Sequence, residues 1–344
     1  MPDSEKIAVY ALTGQGYPLA ARIARATGGV LFATPRLVRG ADVPFDSLPE
    51  LVGGHFHRFH GHVFVAAAGI AVRCIAPHLR GKEVDPAVVC MDQDGRFAVS
   101  LLSGHLGGAN DLALRCAAVS GGQAVITTAT DCAGLPSLDV LARDRGMAIG
   151  NLGRVKAVNA ALLRGEAVQL YDPGGYLRAE DPKHFNEVDD PARWRHGQPG
   201  VWVSWCRDCP DEAALRLYPR VLMLGVGCRR GVSGAAISAH IRESFRAADL
   251  SFLSIGGLGS VEAKADEPGL LEAAEGLGVV PEFFDAARLG AVAVPNPSAA
   301  VMERMGTPSV AEAAAVLLAR GGPLVMDKTA TSNVTLAVAR SESC

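Results

Sequence analysis

The sequence predicts an α/β protein of several domains, built mainly from parallel sheets flanked by helices, with a small irregular middle region. Three observations predict it: short apolar runs that stop at glycine, helical spacing of apolar residues directly after them, and a stretch from about 145 to 219 where both patterns fade.

Lys6-Ile7-Ala8-Val9-Tyr10-Ala11-Leu12 is an apolar run closed by Thr13-Gly14-Gln15-Gly16, after which Tyr17, Leu19, Ala20, Ile23 and Ala24 recur at helical spacing. This reads as strand, glycine turn, helix. The pattern repeats with a strand over 30–33, a helix ending near Phe59, a strand over 62–68 and a helical stretch from Ile70 that Pro77 stops. The strands over 88–91 and 97–101 flank Asp92-Gln93-Asp94-Gly95, whose Asp-Gly pair signals a hairpin. A glycine-rich loop over 103–110, a helix through about Val119 and a strand over 124–128 complete the first part. In the middle, short strands near 167–170 and 201–205 are separated by the polar, Pro-rich stretch 172–199, which reads as a linker or irregular subdomain. A second α/β unit follows: a strand over 221–226, helices over 233–247, 268–277, 298–305 and 309–320, and strands over 324–326 and 333–338. The expected division is an N-terminal domain over 1–144, a variable middle over 145–219 and a C-terminal domain over 220–344.

Bulk properties narrow the function. With 344 residues, 49% hydrophobic and 20% charged, the chain can bury two or three cores, so general disorder is excluded. Its apolar runs fall far short of the roughly 20 residues that span a bilayer. The N-terminus lacks the charged start and long apolar stretch of a secretory signal, so a cytoplasmic location is expected. Eight scattered cysteines read as reduced thiols. A formal charge of -3 gives no footprint for nucleic acid, so any anionic ligand needs a local cluster of cations.

Several segments supply candidates. In the loop 103–110, Gly104, Gly107 and Gly108 let backbone amides at a helix start approach a ligand. His105 is a candidate proton carrier, with Ser103 and Asn110 as neutral hydrogen-bonding groups. A tight structural loop is the plain alternative. Gly69 and Arg73 sit at a strand-to-helix junction where Arg73 could clamp a carboxylate, or simply be solvated. Lys82 and Asp85 follow in a polar connection that a surface ion pair would explain. Thr127-Thr128-Ala129-Thr130-Asp131 ends a strand, and Asp131 could orient His105 or cap a turn.

His55, His57, His60 and His62 invite a metal reading, but Phe56 and Phe59 at i, i+3 favour burying the phenylalanines and solvating His57 and His60. Trp205-Cys206-Arg207-Asp208-Cys209 has a redox-like spacing without a redox frame. Gly225-Val226-Gly227-Cys228-Arg229-Arg230-Gly231 fails as a dinucleotide fingerprint, because Arg230 stands where the third glycine is needed; an anion clamp at a strand end reads better. Lys264, Glu267 and Lys328 are candidates for the same edge.

Taken together, Ala68-Gly69-Ile70-Ala71-Val72-Arg73, Lys82 to Val89, Ser100-Leu101-Leu102-Ser103-Gly104-His105-Leu106-Gly107-Gly108-Ala109-Asn110, Val125 to Asp131, Leu224 to Gly231, Lys264 to Leu271 and Ser309 to Ala314 resemble the cobalt-precorrin-5A hydrolase (CbiG) family of cobalamin biosynthesis. The middle resembles it loosely. The histidine cluster and Ala235-Ala236, where relatives often carry an acidic residue, depart from its pattern. The resemblance implies a C-terminal domain like the stand-alone CobE proteins. It also implies hydrolytic opening of the ring-A δ-lactone of cobalt-precorrin 5A with release of acetaldehyde. On that reading His105 with Asp131 is the catalytic pair and the glycine-loop amides are oxyanion donors. The substrate's carboxylates meet Arg73, Lys82, Arg229, Arg230, Lys264 and Lys328. No separate cofactor is needed, because cobalt is carried by the substrate. A large flat ligand would suit a cleft between domains. The expected partner is that cobalt-containing tetrapyrrole, with a second copy of the chain or another enzyme of corrin synthesis as further candidates; nucleic acid and membrane are not expected. The rivals are a corrinoid hand-over protein without chemistry of its own, and a thiol or metal enzyme built on Cys206/Cys209 or the histidines.

Overall fold

A computed structural model describes residues 6–40, 42–81, 84–105, 107–129, 133–135, 137–177 and 184–342. Lys82 and Asp131 lie outside the described residues. The chain divides into two compact units, Met1–Val140 and Leu141–Cys344. The α/β class and the mostly parallel, helix-flanked sheets are as the apolar pattern predicts. No helix of the described residues is long and apolar enough to cross a membrane.

The first unit is built on a seven-stranded sheet of β1 (Ile7–Ala11), β2 (Val30–Ala33), β3 (Val43–Pro44), β4 (Gly61–Val65), β5 (Ala87–Met91), β6 (Phe97–Leu102) and β7 (Gln123–Val125), ordered β3-β2-β1-β4-β5-β6-β7. Its helices are α1 (Tyr17–Thr27), α2 (Leu48–His55), α3 (Ala68–Ile75) and α4 (Ala109–Ser120), and α5 (Leu138–Asp144) begins in it and continues into the second unit. Strands β1, β4 and β5 are buried at every position, as expected of parallel strands covered on both faces. Leu19, Ile23, Leu112 and Cys116 of α1 and α4 pack on Val9, Val63 and Val89 across one face. Full burial of a side chain such as Ile23 contributes about 2 kcal/mol. Tyr10, Phe32, Phe56, Phe59 and Phe64 fill the other face.

The histidine cluster resolves into separate roles. Phe56 and Phe59 are buried while His57 and His60 are exposed, as their spacing predicts. His62 is fully buried in the aromatic layer, where its Nδ1 lies 2.9 Å from the Tyr10 hydroxyl and its Nε2 2.9 Å from the Phe56 carbonyl. Nε2–H therefore donates to the carbonyl and Nδ1 accepts from the tyrosine. Burial lowers the His62 pKa to about 4 and keeps the ring neutral.

In the second unit the middle region is more regular than its faint periodicity suggests. Strands β8 (Met147–Ile149), β9 (Val168–Tyr171), β10 (Phe185–Glu187), β11 (Gly200–Val203) and β12 (Leu215–Pro219) form a five-stranded sheet ordered β10-β9-β11-β12-β8, with helix α6 (Gly153–Leu163). Trp202 stacks on Tyr171 with centroids 4.0 Å apart and meets Trp194 edge-on at 5.2 Å. This small core supplies burial that hydropathy periods do not reveal. Cys209 packs against it, and Cys206 forms an isolated antiparallel backbone β-bridge with Leu250. Burial raises the thiol pKa of both Cys206 and Cys209, opposite to what activates a redox pair.

The remaining sheet contains β13 (Leu222–Cys228), β14 (Ile255–Val261), β15 (Pro281–Phe284), β16 (Leu324–Ala330) and β17 (Val334–Arg340), ordered β15-β14-β13-β17-β16. Helices α7 (Gly234–Ala247), α8 (Pro268–Gly276), α9 (Ala286–Gly290), α10 (Ala299–Met305) and α11 (Ala311–Leu318) accompany it. Strands β13, β14 and β15 are parallel, and β17 runs antiparallel between β13 and β16. Gly225 is required where β13 meets α11: a Cβ there would lie 1.8 Å from the Ala311 carbonyl oxygen.

Candidate functional site

In the first unit the loop between β6 and α4 is held by its glycines. A Cβ on Gly107 would lie 2.3 Å from the Ser103 Cβ, and one on Gly104 would lie 2.8 Å from the Asn110 Oδ1. Gly108 caps α4 with φ 82°, in the left-handed region that glycine occupies without strain. Asn110 is buried and braces the loop: its Oδ1 accepts from the Ser100 hydroxyl at 2.7 Å and its Nδ2 donates to Thr128 Oγ1 at 3.0 Å. Asp85 is also buried, and its carboxylate accepts from the backbone amides of Arg80 and Gly81. The amides of Gly108, Ala109 and Asn110 donate to the carbonyls of His105, Ser103 and Gly104. These amides, expected as oxyanion donors, are thus committed within the loop. Ser103 has φ 57°, and its buried Oγ has no hydrogen-bond partner among the described residues.

His105 is held from the start of α5. Its Nδ1 lies 3.0 Å from Ser137 Oγ and 3.8 Å from Asp139 Oδ2, and Ser137 Oγ donates to Asp139 Oδ1. Both Ser137 and Asp139 are buried. Sequence reasoning missed them, since nothing in the Ser-Leu-Asp pattern at 137–139 separates a helix start from a histidine partner more than 30 residues away.

The sheet does not bring all the predicted groups of this unit together. Strand β6 pairs antiparallel with β5, placing Leu102 opposite Val88 at the amino end of β5, and β7 runs parallel to β6. His105, exposed Thr127 and Thr128 therefore lie at the edge where β4 and β5 begin, whereas Gly69 and Arg73 follow the carboxyl end of β4 at the opposite edge. Thr127 and Thr128 were expected at the carboxyl edge of the parallel strands; the hairpin turns them away from it. Arg73 is exposed and donates to the Gly69 carbonyl at 3.2 Å, folded back on its own helix.

In the second unit the predicted cations converge. A cavity of about 630 Å³ opens at the carboxyl ends of β13, β14 and β16, where open α/β sheets place ligands. Gly227, Arg229, Arg230, Lys264 and Lys328 line it, together with Ser309 at the start of α11. Gly227 leaves room beside Thr335, whose Oγ1 would lie 2.5 Å from an added Cβ. Arg229 and Arg230 are exposed, so their guanidinium groups are available to an anion. Lys264 is buried and donates to Glu267 Oε2 at 3.0 Å, while Glu267 Oε1 accepts from the Gly231 amide at 2.6 Å. Glu267 thus ties the arginine turn to Lys264 and is not itself among the lining residues. The Gly231 amide first, then Lys264, holds its carboxyl below the usual range.

Lys328 has a comparable support that sequence reasoning missed. The carboxylate of fully buried Glu312 accepts from the Asn296 amide, the Asn296 side chain and the Lys328 amide at 3.2, 2.7 and 3.3 Å. Lys328 Nζ donates to the Asn296 carbonyl at 2.6 Å. Three donors satisfy a charge that would otherwise be costly to bury.

Comparison with known proteins covers most of the chain. Residues 50–131 match the family model described as Cobalamin synthesis G N-terminal, residues 136–219 the Cobalamin biosynthesis central region, and residues 222–339 the Cobalamin synthesis G C-terminus. The cobalt-precorrin-5A hydrolase of Salmonella typhimurium strain LT2 is 34% identical over 325 residues, covering 92% of this chain and 93% of that protein. That of Priestia megaterium is 32% identical over 305 residues, covering 85% and 82%. Protein CobE of Sinorhizobium sp is 34% identical over 121 residues, covering 34% of this chain and 79% of that protein. With three family models in sequence and hydrolases matched along most of its length, the chain belongs to the cobalt-precorrin-5A hydrolase (CbiG) family.

Proposed function

We propose that the chain is a cobalt-precorrin-5A hydrolase that opens the ring-A δ-lactone of its substrate, with release of acetaldehyde, in the cytoplasm. The observation that carries the reading is the match to two such hydrolases over 92% and 85% of the chain. The two clusters supply a chemical division consistent with it. His105 is the imidazole among the predicted groups, a side chain that can take up and return a proton, and Ser137 and Asp139 lie against its ring. The cavity in the second unit offers Arg229, Arg230, Lys264 and Lys328 to a polycarboxylate.

In the proposed step His105 removes a proton from water as the oxygen adds to the lactone carbonyl carbon. The resulting oxyanion collapses, the ring C–O bond breaks, and the departing oxygen takes the proton back from the imidazolium. The new hydroxyl then gives its proton back to His105 as its oxygen forms the C=O of acetaldehyde, the C–C bond to the ring breaks, and the electron pair of that bond passes to the electron-poor macrocycle. Cobalt arrives with the substrate, so no separate cofactor enters this scheme.

Purified protein incubated with cobalt-precorrin 5A is expected to release acetaldehyde. His105→Ala should lower turnover on the order of 10²- to 10⁴-fold, the usual contribution of a general base. Turnover near the wild-type rate would remove His105 from the chemistry. Stoichiometric binding without acetaldehyde would instead assign the protein to hand-over of corrinoid intermediates.

A further inference from the structure

We infer that Asp139 and Ser137 form a positioning relay that fixes His105 with Nδ1 protonated and Nε2 basic. This deepens the reading of His105 as the base and rests on it. An ionised carboxylate is an acceptor only, so the bond from Ser137 Oγ to Asp139 fixes the serine proton on the carboxylate side. The serine oxygen, 3.0 Å from the ring, is then left to accept, and Nδ1 must donate. Nε2 is accordingly the nitrogen with the lone pair that water addition needs. When Nε2 takes the proton, the imidazolium keeps its Nδ1–H bond to Ser137 and gains the attraction of Asp139 at 3.8 Å; no proton ends on the aspartate. Both partners are buried, whereas the His105 side chain retains 20% exposure, so the carboxylate acts through a shielded path on a ring that still reaches solvent.

The same contacts admit a serine nucleophile activated by histidine, and the hydrogen-bond direction argues against it. A base for Ser137 would need the Nδ1 lone pair, but the serine proton already points to Asp139. Ser137 is also buried, where a macrocyclic ester cannot reach its oxygen.

The test combines kinetics with nitrogen NMR of histidine-labelled full-length protein. Asp139→Asn lets the new amide donate to Ser137, which turns the serine proton toward Nδ1 and moves the ring to the Nε2–H tautomer. The expected result is that tautomer shift, a fall in kcat on the order of 10²-fold or more with KM within about threefold, and no further loss when Asp139→Asn is added to His105→Ala. Ser137→Thr, which keeps the hydroxyl, should retain the wild-type tautomer and most of the rate. An unchanged tautomer in Asp139→Asn, or an equal rate loss with and without His105, overturns the relay. A covalent acyl adduct trapped on Ser137 also overturns it, in favour of the nucleophile. If His105→Ala turns over normally, the base assignment fails while the tautomer measurement still decides whether the relay sets the ring.

Discussion

At the scale of single residues, Gly107 and His62 of the first unit are constrained for different reasons. Gly107 is fixed by space. Its would-be Cβ lies 2.3 Å from the Ser103 Cβ and 2.8 Å from the Ser103 carbonyl oxygen, and neither can retreat without moving the loop that carries His105. Gly107→Ala should cost about 1–3 kcal/mol of stability, the usual cost of overpacking, and lower kcat more than it raises KM; calorimetry and acetaldehyde assays would measure both. His62 is fixed by protonation. Its folded pKa of about 4 lies below the ordinary 6.5, so above pH 6.5 the ring is neutral in both states and contributes no pH dependence. As pH falls from 6.5 toward 4, the unfolded chain takes up a proton that the folded one refuses, and stability declines by about 3 kcal/mol in total. Urea unfolding at pH 7 and 4.5 should show this slope in the wild type and a shallower one in His62→Phe. Equal slopes would mean that the acid sensitivity arises elsewhere.

At the scale of elements, the contact of β13 with α11 gives the clearest forecast. Gly225→Ala would place a methyl group 1.8 Å from the Ala311 carbonyl and 2.6 Å from the Ala315 amide nitrogen, both backbone atoms that can yield only if the helix moves. A loss above about 3 kcal/mol is expected, read as a lower melting point and weaker binding at the cavity that α11 borders. The ease of reading an element from sequence followed its physics. Strand β13 and helix α7 announced themselves through a continuous apolar run and a serine cap at Ser233. Strand β14, Ile-Gly-Gly-Leu-Gly-Ser-Val, went unread because its glycines, which let Phe284 and Leu318 pack closely, erase the apolar signature of a strand. Of the middle sheet only β9 and β11 were legible, because its core draws on isolated aromatic side chains such as Tyr171, Trp194 and Trp202. The edge switch after β6 was available in principle: the Asp94-Gly95 turn reverses the chain, so whatever follows β6 must open away from Gly69 and Arg73. The partnership of His105 with Asp139 had no such local sign, because it depends on how α5 returns to the loop.

At the scale of the whole molecule, the proposed base and the cations proposed to meet the substrate's carboxylates belong to separate units. His105, Ser137 and Asp139 belong to Met1–Val140, and Arg229, Arg230, Lys264 and Lys328 to Leu141–Cys344. A chain with net charge -3 repels a polyanion at long range, so capture of a polycarboxylate must come from the local field of that cavity. Lys264 is already partnered by Glu267, and Lys328 by the Asn296 carbonyl, which leaves the exposed Arg229 and Arg230 as the groups with most to gain from a carboxylate. Each charge-assisted bond contributes about 1.5–3 kcal/mol, so Arg229→Ala or Arg230→Ala should raise KM for cobalt-precorrin 5A on the order of tenfold or more and leave kcat within about threefold. His105→Ala should do the reverse. Added salt should raise KM in the wild type and do so less in the Arg229→Ala/Arg230→Ala double variant, since fewer screened contacts remain. Loss of kcat at unchanged KM in the arginine variants would instead tie the cavity to the chemical step, and the division of labour between the two units would have to be abandoned.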